Sequence, residues 1–374
     1  MTRSSPTRRN PESAARLPVA AVRRSLVAWY RRVQRDLPWR RTSDPYRILL
    51  SETMLQQTRV DTVIPYYERF LEQFPDLGSL ACADEQDVLR QWAGLGYYAR
   101  ARNLKKAAMQ IMRDHDGRVP SDPKQLLALP GIGRYTAGAV RSIAFEERAA
   151  IVDGNVRRVL SRLLAAAELA PEELWQLADE LVPAKAPGEF NQALMELGAT
   201  VCTPRAPDCA ACPLGALCAA RAAGEPERFP QPVARRPPIA VTSLGAIVER
   251  NRPQRVLLLR RPSRGLLGGM WEIPAVSGDS VDELVRAVEA ATGLTTVPGE
   301  SLGTVHHQFT HRSLTLQLVR LKISRGRIRR SAGDTTRFCS CEQLDELPLS
   351  RLVQKALEQA TLAGQPALSS RHGR

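Results

Sequence analysis

Four cysteines within seventeen residues constrain this chain more than any other stretch. "CTPRAPDCAACPLGALC", residues 202–218, sets Cys202, Cys209, Cys212 and Cys218 in the spacing C-x6-C-x2-C-x5-C. Thiols this close form a disulfide framework, a zinc site or the cage of an iron–sulfur cluster. At 374 residues the chain can bury cores large enough to need no disulfide staples. No apolar run reaches the length of a membrane span or a signal-peptide core, and the N-terminal stretch is Arg-rich and polar. The protein is therefore expected in the cytoplasm, where thiols stay reduced and clustered cysteines bind metal. A structural zinc ion normally joins two separated C-x2-C knuckles, whereas one short loop with a single knuckle and unequal gaps suits wrapping around a larger cluster. The spacing favours [4Fe–4S], with zinc as the alternative. A cluster ligated by all four thiolates has no open position, so its expected role is to hold the loop. Cys82, Cys339 and Cys341 are scattered and read as core or incidental thiols.

Charge narrows the partner. Lys and Arg number 53 against 39 Asp and Glu, a formal net charge of +14. That balance suggests a polyanion, first of all nucleic acid.

The pattern along the chain divides it. Residues 1–20 read as a disordered basic tail carrying Arg3, Arg8, Arg9 and Arg16. Residues 21–227 read as helical: in "VDTVIPYYERFLEQF" Val60, Val63, Ile64, Tyr67, Phe70, Leu71 and Phe74 keep the spacing of one buried helical face, with Pro65 expected to start the main body of that helix. Further helices fit "YRILLSETMLQQ", "DEQDVLRQWAG", "ARARNLKKAAMQIMRD", "YTAGAVRSIAF", "VRRVLSRLLAA", "PEELWQLADELV" and "EFNQALMELGATVC". Four prolines and three arginines in residues 228–240 mark a semi-rigid linker. Beyond it "VTSLGAIVE", "QRVLLLRR" and "RSLTLQLVRLKI" read as strands and "VDELVRAVEAATG" as an amphipathic helix, so residues 241–360 form a smaller α+β domain, followed by a flexible tail at 361–374. In the third strand the apolar phase moves from Leu314, Leu316 and Leu318 to Val319, Leu321 and Ile323, which predicts a bulge or burial of both faces.

Two motifs in the helical part bear on chemistry. In "LPGIGRYTAGAV", Pro130, Gly131 and Gly133 make a tight turn between helices, where backbone N–H groups can approach a phosphate; an ordinary helix connection fits the turn equally well. Asp153, in "IVDGNVRRVL", read alone would be an N-cap. Glu52 and Gln56 share one helix face, which by periodicity alone would be a solvated one.

Together the hairpin, the Asp and the four-cysteine loop resemble the helix–hairpin–helix DNA glycosylase superfamily that includes endonuclease III. "DLPWR", "SETMLQQTRV", "GLGYYARARNL", "VDGNVRRVL" and "NQALMELGATVC" are similar to its adenine DNA glycosylases, the MutY type, over about residues 25–220. The resemblance implies that Glu52 is the general acid protonating the adenine ring and that Asp153 stays ionised beside the sugar, two carboxylates whose environments push their pKa values apart. For Glu52 burial is the expected cause. It gives Tyr135 and Asn155 as polar partners of Asp153, Arg40 and Glu196 as contacts at the adenine pocket, Gln56 with Gly131 and Gly133 among the DNA-binding positions, and Gln57 and Tyr97 as fillers of the duplex beside the lesion. A core aromatic is the competing reading of Tyr97. Bifunctional members carry a lysine where this chain has Tyr135; without that amine no Schiff base to the sugar forms there.

The second domain resembles the family's Nudix-like domain, with "GLLGGMWEIP" ahead of the amphipathic helix. Aligning "ATGL" with the end of a Nudix box keeps Arg286 and puts Ala287, Ala290 and Ala291 where hydrolases carry glutamates, so Mg²⁺ ligands are missing and no pyrophosphatase activity is expected. The family's lesion-reading loop, Phe-Ser-His or similar, would here be Phe309, Thr310 and His311, with Thr keeping the hydroxyl and adding a methyl. By themselves His306, His307 and His311 read as exposed histidines at a strand edge.

The expectation is a monomeric, monofunctional glycosylase that holds a [4Fe–4S] cluster and hydrolyses adenine from A:8-oxoguanine and A:G mispairs in double-stranded DNA, cytoplasmic and associated with the nucleoid. An endonuclease III-like glycosylase/lyase and a non-catalytic iron–sulfur DNA-binding protein are the alternatives.

Overall fold

The computed structural model describes residues 17–231, 237–251, 254–329 and 335–363. The expected basic tail up to residue 16, with Arg3, Arg8, Arg9 and Arg16, the middle of the expected linker (232–236) and the expected C-terminal tail beyond 363 lie outside the described residues. In chain order the helical part contains α1 (Val19–Val33), α2 (Pro45–Leu55), α3 (Val60–Gln73), α4 (Leu77–Cys82), α5 (Glu85–Trp92), α6 (Ala99–Asp114), α7 (Pro123–Ala128), α8 (Arg134–Ala144), α9 (Gly154–Leu163), α10 (Pro171–Leu181), α11 (Pro187–Thr200) and α12 (Ala219–Ala222). There follow β1 (Ile239–Asn251), β2 (Gln254–Arg260), β3 (Trp271–Glu272), β4 (Ala275–Ser277), α13 (Val281–Thr292), β5 (Thr295–Gln308), β6 (Arg312–Arg325), β7 (Thr336–Cys339), α14 (Cys341–Asp345) and α15 (Arg351–Leu362). The expected pairing of a mainly helical part with an α+β part is what the chain forms.

Contacts gather these elements into two compact units. One joins the chain up to Gln56 with the stretch from Arg118 to the linker; the other joins Gln57–Gly117 to everything after the linker. In the first, α1, α9, α10 and α11 bury Leu26, Leu160, Leu181, Phe190 and Leu194 in one core, each such side chain contributing about 1.5–3 kcal/mol by leaving water.

In the second unit α3 runs unbroken through Pro65, contrary to the expectation that Pro65 would begin it. The ring removes only the N–H that would have reached the carbonyl of Asp61, and Asp61 is exposed, so the helix tolerates the loss. The sheet runs β3–β2–β1–β6–β5, with β4 on β1 and β7 on β2; β1 and β6 are parallel and the other pairs antiparallel. One face packs Leu316 and Leu318 against Trp271, Val353 and Ala356; the other packs Val319 and Leu321 against Leu284 and Val288 of α13. β6 is therefore covered on both faces, which explains its change of apolar phase. The β5–β6 register slips at three places: at Thr295/Thr296, where the extra residue is Ser324 of β6 itself, between Pro298 and Ser301, and between Ser301 and Gly303, which face the adjacent Val319 and Leu318 and leave Leu302 as the extra, buried residue of β5.

Candidate active site

Helix α2 begins at Asp44, whose carboxylate accepts the N–H groups of Tyr46 at 2.8 Å and Arg47 at 3.4 Å, with Pro45 preset for the first turn. Its far end enters the protein: Ser51, Glu52, Thr53 and Met54 are all buried, and Glu52 is only 4% exposed. The face bearing Glu52 is thus not the solvated one that periodicity alone suggested. Gln56, at the end of the helix, donates from Nε2 to Thr136 Oγ1 at 3.3 Å.

Opposite α2 stands the hairpin of α7 and α8. Gly131 has φ +78°, a backbone state that disfavours side chains, and Gly133 caps α8 without any side chain, in open space that a Cβ would not fill. The first N–H groups of α8 are left uncovered, as a phosphate site requires. One residue into α8, Tyr135 donates its hydroxyl to Glu52 Oε2 at 2.8 Å and lies 3.1 Å from Met195 Sδ. Burial, then the charges of Glu52 and Asp153, push the Tyr135 phenol well above its usual range, so it stays a donor.

Asp153 is an N-cap and also more than that. Its Oδ1 accepts the Val156 N–H at 2.7 Å while Oδ2 accepts Asn155 Nδ2 at 3.0 Å. Asn155 is fixed in turn by Arg158, whose Nη2 donates to Asn155 Oδ1 at 2.8 Å and to Gly198 O at 2.7 Å. A Cβ on Gly198 would fall 2.6 Å from that of Asn155, so only glycine lets α11 come this close. Burial pushes Glu52 up to about 7, and the neighbouring Asp153 charge adds to the rise, against the hydrogen bond from Tyr135 and the charge of Arg40.

Arg40 and Glu196 form a second cluster in the same unit. Glu196, 1% exposed, accepts Arg35 Nε at 2.8 Å on Oε1, and both Arg35 Nη2 at 2.8 Å and Arg40 Nη2 at 2.7 Å on Oε2. Burial alone would raise its pKa; the two guanidinium groups instead hold it down at about 2. Arg40 also stacks 5.3 Å from the centroid of the Tyr30 ring.

The remaining candidates fall in the sheet-bearing unit. Gln57 (φ +59°) and Tyr97 (φ +49°) both occupy the left-handed region, a strained state for such residues. Tyr97 is 43% exposed, which removes the core-aromatic reading. Its ring lies 5.5 Å from the Arg100 guanidinium and its hydroxyl 2.6 Å from Thr310 Oγ1. Thr310 is at the tip of the β5–β6 hairpin, closed by Phe309 N–H donating to Arg312 O at 2.8 Å; Thr310 and His311 are exposed and Phe309 packs edge-on to His307, 4.6 Å between centroids. On α13, Arg286, Ala287, Ala290 and Ala291 are exposed or half-buried.

Cys202, Cys209, Cys212 and Cys218 line one cavity, together with Arg162 and Arg221. Arg162 is buried and ties the loop down, donating to Thr203 O at 2.7 Å, Pro204 O and Phe229 O at 3.0 Å, and Cys202 Sγ at 3.3 Å. Burial pushes the Cys212 thiol up to about 11. Among the described residues no set of three or more His, Cys, Asp or Glu side chains is drawn together tightly enough for a single metal ion, and no helix is long and apolar enough to cross a membrane. Cys82 is exposed, Cys339 buried and Cys341 half-buried.

Sequence reasoning missed Arg35, Arg158, Arg162, Gly198 and Met195. Gly198 carried a signal, since an isolated glycine inside a helix usually serves close packing; the arginines had none, their partners lying 161, 40 and 40 residues away.

Residues 50–184 match the HhH-GPD superfamily of base excision DNA repair proteins and residues 245–359 the NUDIX domain. The adenine DNA glycosylase of Homo sapiens is 38% identical over 368 residues, 82% of this chain and 67% of that protein. That of Mycobacterium tuberculosis is 45% identical over 208 residues, 54% of this chain and 68% of that protein. The solved structure of a thermostable thymine-DNA glycosylase, 33% identical, superposes with a TM-score of 0.51 over 54% of this chain and 95% of its own. Hairpin, buried carboxylate and matched domains define a DNA glycosylase of base excision repair with an appended Nudix-like domain. Within that class, the chain belongs to the adenine DNA glycosylase family.

Proposed function

We propose that this enzyme hydrolyses the N-glycosidic bond of adenine paired with 8-oxoguanine or guanine in duplex DNA, and leaves the strand intact. The observation that carries the reading is Glu52, buried, raised to about 7 and held by Tyr135, with Asp153 near enough to act on it. An acid of that pKa is protonated in about half of the molecules at neutral pH and can pass its proton to the adenine ring. The nucleotide reaches it only when flipped from the stack, at a cost of roughly a few kcal/mol. Protonation makes adenine a leaving group; the C–N bond breaks heterolytically, the Asp153 carboxylate stabilises the cationic sugar, and water adds to it. Asn155 and Arg158 hold Asp153 in place through the hydrogen bonds described above. Tyr135 offers no amine, so no Schiff base forms there and strand cleavage does not follow.

Cys202, Cys209, Cys212 and Cys218 would hold a [4Fe–4S] cluster. The four thiols line one cavity together with Arg162 and Arg221, whose charges would offset a set of four ligating thiolates. When bound, the cluster supplies structural support to the loop, and the Arg162 N–H on Cys202 Sγ suits a ligating thiolate.

Phe309, Thr310 and His311 would read the base opposite adenine, with Gln57 and Tyr97 filling the duplex beside it. α8's open N-terminus at Gly131–Gly133 would grip a phosphate. The enzyme would act as a monomer on double-stranded DNA in the cytoplasm. A single-turnover assay on duplexes with adenine opposite 8-oxoguanine, guanine and thymine, read with and without alkali, tests the reading. Breakage of the adenine strand only after alkali, and not opposite thymine, is expected; breakage without alkali would mean lyase chemistry, and no release from any duplex a non-catalytic binder.

A further inference from the structure

The sheet domain meets helices α5 and α6 at a second place, away from Thr310, through side chains that neither the chemistry nor the lesion loop uses. The Gln86 carboxamide on α5 makes both kinds of bond there: Nε2 donates to Gly269 O at 3.0 Å and Oε1 accepts the Trp271 indole N–H at 2.9 Å. Arg102 on α6 donates from Nη1 to Gly268 O. The loop that receives these bonds is shaped for them. Leu267 has φ +56° and Gly269 φ +76°; a Cβ on Gly268 would fall 2.5 Å from Ser263 O and one on Gly269 3.1 Å from Leu89 Cδ1. At Gly268 the loop folds too tightly on itself for a side chain, and at Gly269 the bare, left-handed backbone comes close to Leu89 of α5, with Leu267 strained beside it.

The two places of contact lie on opposite flanks of one sheet. Trp271 opens β3 at one end of the order β3–β2–β1–β6–β5, and Thr310 tips the β5–β6 hairpin at the other. Both meet the same pair of helices, because Tyr97 sits on the short connection between α5 and α6. The Tyr97–Thr310 contact is exposed and so is worth too little to hold a sheet in place. The bonds at Gln86 and Arg102 include a charged donor and a nearly buried indole, and such bonds are the stronger ones.

We infer that Gln86 is a positioning residue for lesion reading: with Arg102 it latches the 261–270 loop to α5 and α6 and so sets the distance between Tyr97 and Thr310. The inference rests on the proposed reading of the opposite base by the 309–311 loop. Gln86 touches no substrate; it acts through where it puts Thr310.

The test uses the full-length enzyme at saturating concentration and measures single-turnover excision of adenine opposite 8-oxoguanine and opposite guanine. Wild type is compared with Gln86→Ala, Trp271→Phe, Thr310→Ala and the Gln86→Ala/Thr310→Ala double variant. Gln86→Ala is expected to lower the ratio of the two rates by about tenfold, a magnitude set by loss of two hydrogen bonds, with the rate opposite guanine within about twofold of wild type. Trp271→Phe, which keeps the core filled, should move the ratio the same way. Thr310→Ala should remove most of the preference, and Gln86→Ala should then have nothing further to remove. An unchanged ratio in both latch variants overturns the inference, as does an equal loss on the two duplexes or a full further loss in the Thr310→Ala background. A wild type with no preference for 8-oxoguanine overturns the lesion reading and the inference together; a wild type that discriminates beside a Gln86→Ala that does so equally well overturns the inference alone.

Discussion

Glu52 near the end of α2 and Glu196 on α11 are buried alike, 4% and 1% exposed, and yet titrate at opposite extremes, about 7 and about 2. Burial pushes both upward. What separates them is company: Glu196 accepts hydrogen bonds from two guanidinium groups, whereas the hydrogen bond that holds Glu52 comes from a neutral phenol, with a second carboxylate nearby. One fold thus makes a permanent anion and a proton donor from the same side chain, and the number of arginines within reach decides which is which. Arg40 bears on both, binding Glu196 directly and drawing the Glu52 pKa down by its charge alone.

The comparison breaks first at Glu52 itself. Glu52→Gln keeps the shape and an acceptor for Tyr135 but removes the acid, so excision should fall by about a thousandfold, roughly 4 kcal/mol of barrier, while duplex binding persists. Single-turnover rates within tenfold of wild type would give the acid's role to another group.

The same substitution should also stabilise the protein, by an amount that depends on pH. Between the usual 4.5 and about 7 the unfolded chain has released the Glu52 proton and the folded one retains it. Stability contributed by this group is full below pH 4.5 and is lost as pH rises through 7, the total reaching about 3 kcal/mol. Urea unfolding of Glu52→Gln against wild type should therefore show no difference at the acid end and the full gain above pH 7. A gain that is the same at all pH values would mean that Glu52 is not the titrating group.

Glu196 should respond in the opposite sense. Arg40→Leu leaves a buried carboxylate with one arginine instead of two, at a cost of about 2 kcal/mol at pH 7 by urea unfolding. Because the Glu196 pKa is depressed, stability from its pairing is present above pH 4.5 and is lost as pH falls toward 2. The penalty of Arg40→Leu should accordingly shrink toward low pH; a constant penalty would mean that the Tyr30 stacking, rather than the ion pair, is what the substitution removes.

Much of this was legible in the sequence, and the illegible part has a common cause. The four cysteines stand in a local pattern and the long helices repeat every three to four residues, so spacing was enough to pick those out; by periodicity alone Glu52 sits on a solvated face and Asp153 is an N-cap, and only the resemblance gives them, with Tyr135, their roles. β5 was not read as a strand: Pro298, Gly299 and Gly303 interrupt it and a run of its residues is exposed, so no alternation survives. The resemblance gave Glu196 as a contact at the adenine pocket; its clamp by Arg35 and Arg40, 161 and 156 residues away, and the bond of Gln86 to Trp271, which spans 185, left no local mark. The left-handed backbones of Gln57 and Tyr97 left no mark because neither residue is glycine or asparagine. Local chemistry is written locally; the partner that sets a buried group's charge is not.

The smallest expected effect sharpens the comparison most, because it bears on the one hydrogen bond that Glu52 has in place of arginines. Tyr135 Oη donates to Glu52 Oε2, a bond that favours the ionised carboxylate and so holds the pKa lower than burial alone would set it. Tyr135→Phe should therefore move the Glu52 titration further up, by a fraction of a unit to about one unit, since a single net hydrogen bond is worth about 1 kcal/mol. In the pH profile of single-turnover excision, the limb on which activity falls with rising pH should shift to higher pH by that amount, with the rate below the limb little changed. An unshifted limb would mean that Tyr135 only packs against Met195. A limb displaced to lower pH would mean that the proton of the pair sits on Glu52 and is donated to the phenol oxygen, so that the tyrosine stabilises the acid form; Glu52 would then be raised by its partner as well as by its burial, and the contrast with Glu196 would be one of opposed partners rather than of weak and strong ones.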